Sequence, residues 1–329
     1  MSILITGATG YLGSKLTQSL ADRGESVRLL SRSGQNINTF DRPEISIIRG
    51  DILDKESLKK AMEGVSRVYH MAAYARLWAR DPYTYQAINV EGTRNVLDAA
   101  VTAGIQKMVH TSTAGVVGPS GEMPMSENMP KIAGFFNLYE KTKSEAEQLS
   151  VEYASGGLPV TIVNPSRVYG PGLDTGSNPI TKIVELYLQK KWYVIPGSGD
   201  DLGSYCYVDD VIDGHILAME KGRNGERYLF GGVNASFNEL IKTISTQSGI
   251  NNNLWHIPFP LLLLFSKYQV FLAGISGKAP MITPEWVKKY DYNWALDSSK
   301  AIRELGYRIR PLEDGIKLTI EWVRKTRLS

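Results

Sequence analysis

Tyr139 and Lys143 stand four residues apart in Tyr139-Glu-Lys-Thr-Lys143, inside a stretch whose pattern predicts a helix over 139–153. That spacing puts both side chains on one helix face. A phenol with a pKa of about 10 is a poor base at neutral pH. A neighbouring ammonium stabilises the phenolate and lowers that pKa. Such a tyrosine exchanges a proton with an alcohol or carbonyl oxygen. Alone, the Y-x-x-x-K pattern is common. It gains specificity here because it follows an apolar strand that ends His110-Thr-Ser-Thr113.

The second chemical signal is Gly7, Gly10 and Gly13, a G-x-x-G-x-x-G turn directly after an apolar strand at 2–6 and at the mouth of a helix running to about residue 23. Glycine there permits a tight turn and close backbone approach to a pyrophosphate, and the helix N-terminus offers N–H groups to the phosphates. Tyr139 would then exchange its proton while hydride passes to or from a nicotinamide, whose positive ring further favours the phenolate. Acidic side chains that hold a ribose 2′-OH stand at the end of the second strand; here that place reads Leu30-Ser31-Arg32-Ser33. A guanidinium and two hydroxyls suit a 2′-phosphate, so NADP(H) is favoured over NAD(H). Asp51, in Arg49-Gly-Asp-Ile52, can accept a hydrogen bond from the adenine amino group.

The elements that must position these groups alternate strictly. Strands are predicted at 2–6, 27–30, 45–48, 67–70, 108–111 and 160–163, with helices to about 23 and at 55–62, 91–103 and 139–153 between them. This order predicts an α/β, Rossmann-type, doubly wound parallel sheet covered on both faces. Beyond Pro165 proline and glycine cluster and the alternation stops, so a smaller, mostly C-terminal α+β substrate lobe is expected. The expected division is 1–165 plus about 206–235 for the dinucleotide domain, and about 166–205 with 236–329 for the lobe. Further helices are predicted at 236–248 and 298–305, and a strand at 228–230. The apolar run 257–275, broken by Pro258, Pro260, Ser266, Lys267 and Gln269, reads as a core or lobe helix entered through prolines and not as a membrane span, with a peripheral membrane contact or a wall of the substrate pocket as the alternatives. Asp209 and Asp210 read as caps of a helix beginning near Val211, and Cys206 as a small buried hydrophobe.

Together these motifs resemble the extended branch of the short-chain dehydrogenase/reductase family, almost end to end, with the closest look to dihydroflavonol-reductase-like and 3β-hydroxysteroid-dehydrogenase-like members. Thr6-Gly-Ala-Thr-Gly-Tyr-Leu-Gly13 matches the cofactor motif, which implies that Gly7, Thr9, Gly10, Tyr11, Leu12 and Gly13 contact the dinucleotide. His70-Met-Ala-Ala73 matches the segment closing over the adenine ribose, through Ala72 and Ala73, and Asp51-Ile52 lies beside the adenine. Pro165-Ser-Arg-Val-Tyr-Gly-Pro-Gly172, with Pro165 and Val168, and Tyr207-Val-Asp-Asp-Val211 are further signatures of this branch. The resemblance implies Tyr139 as acid or base, Lys143 on the ribose hydroxyls, Thr113 on the reacting oxygen with Ser112 as the alternative, and Asn89 as a fourth catalytic member. It also implies a homodimer through the helices at 91–103 and 139–153.

Bulk properties set the remaining limits. A net charge of +3 over 329 residues gives no electrostatic support for a nucleic-acid partner. The start MSILITGATG lacks the layout of a signal peptide, and the single cysteine permits no internal disulfide, so a cytoplasmic enzyme is expected. The four histidines show no ligand spacing, and no metal site is expected. Two other functions compete. Nucleotide-sugar epimerases and dehydratases of this fold carry an arginine just before the V-x-D segment, whereas Asp200-Asp-Leu-Gly-Ser-Tyr-Cys-Tyr207 has two acids and none; carboxylates there repel a diphosphate. A non-catalytic dinucleotide sensor would have no need of Thr113, Tyr139 and Lys143. Trp192, Tyr193, Trp255, Phe259 and the run 261–265 suit an apolar substrate, or else the lobe core. The favoured reading is a reductase or dehydrogenase acting on a carbonyl or secondary alcohol of a small, fairly apolar molecule.

Overall fold

The computed structural model describes residues 2–32, 40–174, 176 and 178–328; Ser33, expected beside a 2′-phosphate, lies outside them. The chain opens with β1 (Ser2–Thr6), α1 (Tyr11–Asp22), β2 (Ser26–Ser31), β3 (Ile45–Arg49), α2 (Lys55–Met62) and β4 (Val65–His70). A short α3 (Tyr83–Gln86) runs through a π-helical turn, Ala87–Glu91, into α4 (Gly92–Thr102). Then come β5 (Lys107–Thr111), a 3-10 turn at Ala114–Val116, α5 (Leu138–Ser155) and β6 (Val160–Pro165).

The second half begins with β7 (Arg167–Tyr169), α6 (Pro179–Leu188), β8 (Val194–Pro196), β9 (Leu202–Tyr207) and α7 (Val208–Lys221). It continues with β10 (Arg227–Phe230), β11 (Val233–Ser236), α8 (Phe237–Ser248), β12 (Trp255–Ile257), α9 (Phe259–Ser276), α10 (Pro284–Lys289), α11 (Ser299–Leu305) and α12 (Leu312–Arg327).

Seven strands pair in the order β10-β6-β5-β4-β1-β2-β3, every pairing parallel. Side chains alternate across a strand. Ile3 and Ile5 therefore pack with α1 and α7 on one face, and Leu4 with α2 and α4 on the other. Both faces are covered, as the alternating pattern requires. The lobe has its own core, with Tyr187, Leu240, Ile244 and Ile320 among its fully enclosed side chains. Its strands form a β11-β9-β7 sheet and a β12-β8 pair. Ser236 and Glu239 make a reciprocal capping box at the start of α8.

Some elements differ from expectation. Helix α7 begins at Val208, so Asp209 and Asp210 sit inside its first turn instead of capping it. They are drawn there by partners: Asp209 pairs with Lys15 at 3.2 Å, and Asp210 accepts from the Arg310 N–H at 2.8 Å. Helix α11 packs on α7 and β10 and joins the sheet's core through Ala301 and Leu305, although it falls inside 236–329. The apolar run does form a helix entered through Pro258, but most of α9 is exposed, so it is not core. A run apolar all round its axis carries no signal of which face is buried.

Candidate active site

The glycine turn is folded hard against the end of β4. Gly7 has φ +77°, and a Cβ there would lie 2.6 Å from the Ala72 nitrogen; one on Gly13 would lie 2.2 Å from the Gly7 carbonyl oxygen. Only glycine fits either place. Gly10 is the N-cap of α1 and has no side chain to bond the first turn, which leaves the N–H groups of Tyr11, Leu12 and Gly13 at an uncapped helix N-terminus. This cradle fits the pyrophosphate of a dinucleotide. Thr9 is partly exposed in the turn. The Tyr11 hydroxyl donates to the Gly170 carbonyl at 3.0 Å and its ring is buried, so its backbone is what faces a ligand. Leu12 leans on the core.

Around the cradle, Ala72 and Ala73 are partly buried, and the Ala72 N–H reaches Thr6 Oγ1 at 3.4 Å. Arg32 is exposed just past β2. Asp51 is partly buried, and one carboxylate oxygen accepts from the Leu53 N–H at 3.0 Å. Ile52 is buried against Gly92 of α4. Pro165 closes β6, and Val168 is buried in the same cluster as Tyr11.

The reacting pair differs from the simplest expectation. Lys143 is 1% exposed and donates from Nζ to the Thr111 carbonyl at 2.8 Å and to His110 Nε2 at 3.1 Å. An ammonium only donates, so His110 Nε2 accepts, and Nδ1 carries the proton toward Ser150 Oγ at 2.7 Å. Burial holds His110 well below its ordinary pKa, with the Lys143 charge acting in the same direction. Burial also pulls Lys143 down to about 8, opposed by Glu147 one turn further on. Tyr139 is partly exposed and is pushed up to about 12: burial raises it, a hydrogen bond with Thr113 lowers it, and Glu140 raises it. The expected lowering of the phenol is therefore not present. The ammonium is turned toward Thr111 and His110, and desolvation of the phenolate dominates. Thr113 caps the 3-10 turn, its Oγ1 accepting from the Gly115 N–H at 3.2 Å. Thr113, not Ser112, meets the Tyr139 hydroxyl; Ser112 Oγ is buried without a partner.

Asn164 and His70 were given no positioning role by the sequence alone. Asn164 donates to the Thr113 carbonyl at 2.9 Å and to Glu147, which in turn pairs with Arg227. His70 bridges Thr6 Oγ1 at 2.7 Å and Thr93 Oγ1 at 2.9 Å, and its ring lies 5.3 Å from that of His110. Asn89 sits in the π-helical turn with both polar atoms engaged: Oδ1 accepts from the Tyr74 N–H at 2.7 Å and Nδ2 donates to Thr142 Oγ1 at 3.0 Å. It ties the loop after Ala73 to α5 beside Lys143. The available signals were polar residues inside otherwise apolar strands, as in Val160-Thr-Ile-Val-Asn-Pro165 and at His110.

On the lobe side, Lys289 forms a buried pair with Glu140, the neighbour of Tyr139, and lies 4.2 Å from the centre of the Trp294 ring. Phe136 packs edge-on against Tyr292 at 5.2 Å, completing an aromatic wall at the start of α5. A further pocket is lined by Arg167, Asp201, Phe237 and Tyr290. Burial, with Asp291 and Asp200 close by, holds the Asp201 carboxyl above its ordinary range. The apolar residues picked out earlier do not converge here. Trp192 packs on the lobe core, Phe259 abuts Gly197, and Tyr193, Trp255, Leu261, Leu264 and Phe265 are exposed.

Comparison with known proteins places this geometry. The NAD dependent epimerase/dehydratase family matches residues 3–231. A putative dihydroflavonol 4-reductase of Synechocystis is 29% identical over 97% of this chain and 93% of its own. Sterol demethylase protein B of Methylococcus capsulatus is 30% identical over 99% of each. The structure of UDP-glucuronic acid 4-epimerase from Bacillus cereus, in complex with UDP-glucuronic acid and NAD, superposes with a TM-score of 0.79 at 26% identity over 99% of each chain.

Proposed function

This chain belongs to the NAD dependent epimerase/dehydratase family, within the extended short-chain dehydrogenases/reductases, and we propose that it acts there as an NADP-favouring oxidoreductase on a carbonyl or secondary alcohol of a fairly apolar small molecule. The observation that carries the proposal is the Tyr139 hydroxyl bonded to Thr113, four residues from a buried lysine. A dinucleotide bound on the glycine cradle supplies or accepts the hydride at its nicotinamide. Tyr139 gives its proton to the substrate oxygen, and Thr113, bonded to the same hydroxyl, orients that oxygen and the phenolate left behind. Two of the three Lys143 donors are taken by Thr111 and His110, which leaves one for ribose hydroxyls.

Gly7, Thr9, Gly10, Gly13 and the backbone of Tyr11 and Leu12 would hold the pyrophosphate. Asp51, Ile52, Ala72 and Ala73 would hold the adenosine, Pro165 and Val168 the nicotinamide end, and Arg32 the 2′-phosphate. The aromatic wall at Phe136 and Tyr292 and the acids around Asp201 favour an apolar substrate over a diphosphate. The sterol named for the Methylococcus relative is of the same character. On this reading the sheet with α7, β10 and α11 is the dinucleotide domain and the rest of the second half the substrate lobe. Exposed Val101 on α4 and Val151 on α5 would form the seam of a homodimer. A second reading, an epimerase or dehydratase with tightly held NAD, is favoured by the Bacillus cereus neighbour and by Arg167 in the lobe pocket.

The test is a panel of apolar ketones and nucleotide sugars offered with NADPH or NADH to the wild type and Tyr139→Phe. NADPH consumption with ketones, lost in the variant, supports the proposal. Turnover of a UDP-sugar with no net change in cofactor transfers the site to the second reading.

A further inference from the structure

Helix α9 is built inside out. Its buried positions are Leu262, Ser266 and Ala273, so a serine and an alanine face inward, while Leu261, Leu264, Tyr268, Phe271 and Ile275 face outward. Ile275 is 73% exposed, Leu264 67% and Phe271 65%. The outward residues recur at intervals of three and four and therefore form one stripe. A contiguous exposed stripe of large apolar side chains marks an interaction surface.

Charge identifies what covers it. No aspartate or glutamate occurs between Glu239 and Glu285, while Lys267 lies in the helix and Lys278 just past it. Arg80 adds a third cation, its guanidinium reaching to 4.0 Å from the Cβ position of Gly277. Two copies meeting stripe to stripe about a two-fold axis would set Lys267, beside the stripe's midpoint, against its own counterpart, with no carboxylate on the helix to answer it. An anionic bilayer supplies both an apolar interior and negative headgroups. The helix is long and apolar enough to cross a membrane by length and composition, but both its ends return to one body. The β12 strand just before it pairs with β8, and α10 just after it packs back on α9.

We propose that α9 docks this protein on the surface of an anionic phospholipid membrane, with the 261–275 stripe at the acyl boundary and Lys267, Lys278 and Arg80 at the phosphates. The exposed Trp255, ahead of the helix, then sits at headgroup depth, where aromatic rings with a polar edge are favoured.

Flotation of the full chain with phosphatidylcholine vesicles, with and without about one quarter phosphatidylglycerol, tests this. The wild type should float with the anionic vesicles and be released by high salt. Leu264→Glu/Phe271→Glu should lose about tenfold or more of that partition, and Lys267→Glu/Lys278→Glu should lose several-fold on anionic vesicles only. Circular dichroism and NADPH binding, unchanged in both variants, guard against misfolding. The proposal is overturned if the wild type stays with the soluble fraction, or if the stripe variant floats equally well. It is also overturned if light scattering shows that the stripe variant turns a dimer into a monomer while the wild type ignores vesicles, because α9 then meets a second copy.

Discussion

Lys143 is the most constrained ionisable residue in the site: fully enclosed, bonded to a carbonyl and a neutral histidine, and pulled down to about 8. Its cation is present below that value and is lost as pH climbs through it. Affinity for NADP(H), followed by nicotinamide fluorescence, should therefore weaken above about pH 8, and Lys143→Met should bind weakly with no inflection there. The folded chain also holds this proton less tightly than the unfolded chain does. Between about 8 and the ordinary lysine range the unfolded chain binds more protons, so this residue's contribution to stability rises with pH across that window. Arg32 offers a second test at this scale. Arg32→Asp should raise the NADPH KM by about tenfold, the worth of a charged phosphate contact, and leave NADH nearly unaffected; equal effects on both cofactors would make Arg32 an ordinary surface residue.

Elements hold these residues through buried polar ties. Asn89 joins the loop after β4 to α5, so Asn89→Ala leaves the Tyr74 N–H unsatisfied and should cost about 1–3 kcal/mol in denaturant unfolding. Asn164 holds the Thr113 carbonyl; Asn164→Leu should lower kcat more than it raises KM, because it moves a group that acts at the reacting oxygen. The strands of the seven-stranded sheet, the glycine turn and the 139–153 helix were legible from periodicity and glycine placement, since a buried parallel strand and a helix N-terminus impose strong local patterns; the short lobe strands β7, β8, β9, β11 and β12 were not. The ties were not legible. Asn89 reads as a helix-opening asparagine, and only the π-helical turn at Ala87–Glu91 shows that it faces Tyr74 and Thr142. The direction of the Tyr139 shift was also out of reach, because it depends on where the Lys143 ammonium points and on how dry the phenol is. The exposed face of α9 was hidden for a simpler reason: its residues are apolar on nearly every side.

At the scale of the whole molecule, the sheet carries the cradle and the reacting pair, and the second half brings an aromatic wall to them through the Lys289–Glu140 pair. Lys289→Met would strand a buried carboxylate beside Tyr139 and should destabilise the fold by about 3–5 kcal/mol, seen as a lowered Tm. The pair ties the second half of the chain to the residue next to Tyr139. The most direct measurement is the fate of a deuterium on the nicotinamide C4 of NADPH during turnover with an apolar ketone. The account predicts one NADPH consumed per alcohol formed, with the deuterium on the carbinol carbon, and neither outcome with Tyr139→Phe. A product isomeric with its substrate, formed with no net cofactor oxidation and no label delivered, would contradict it.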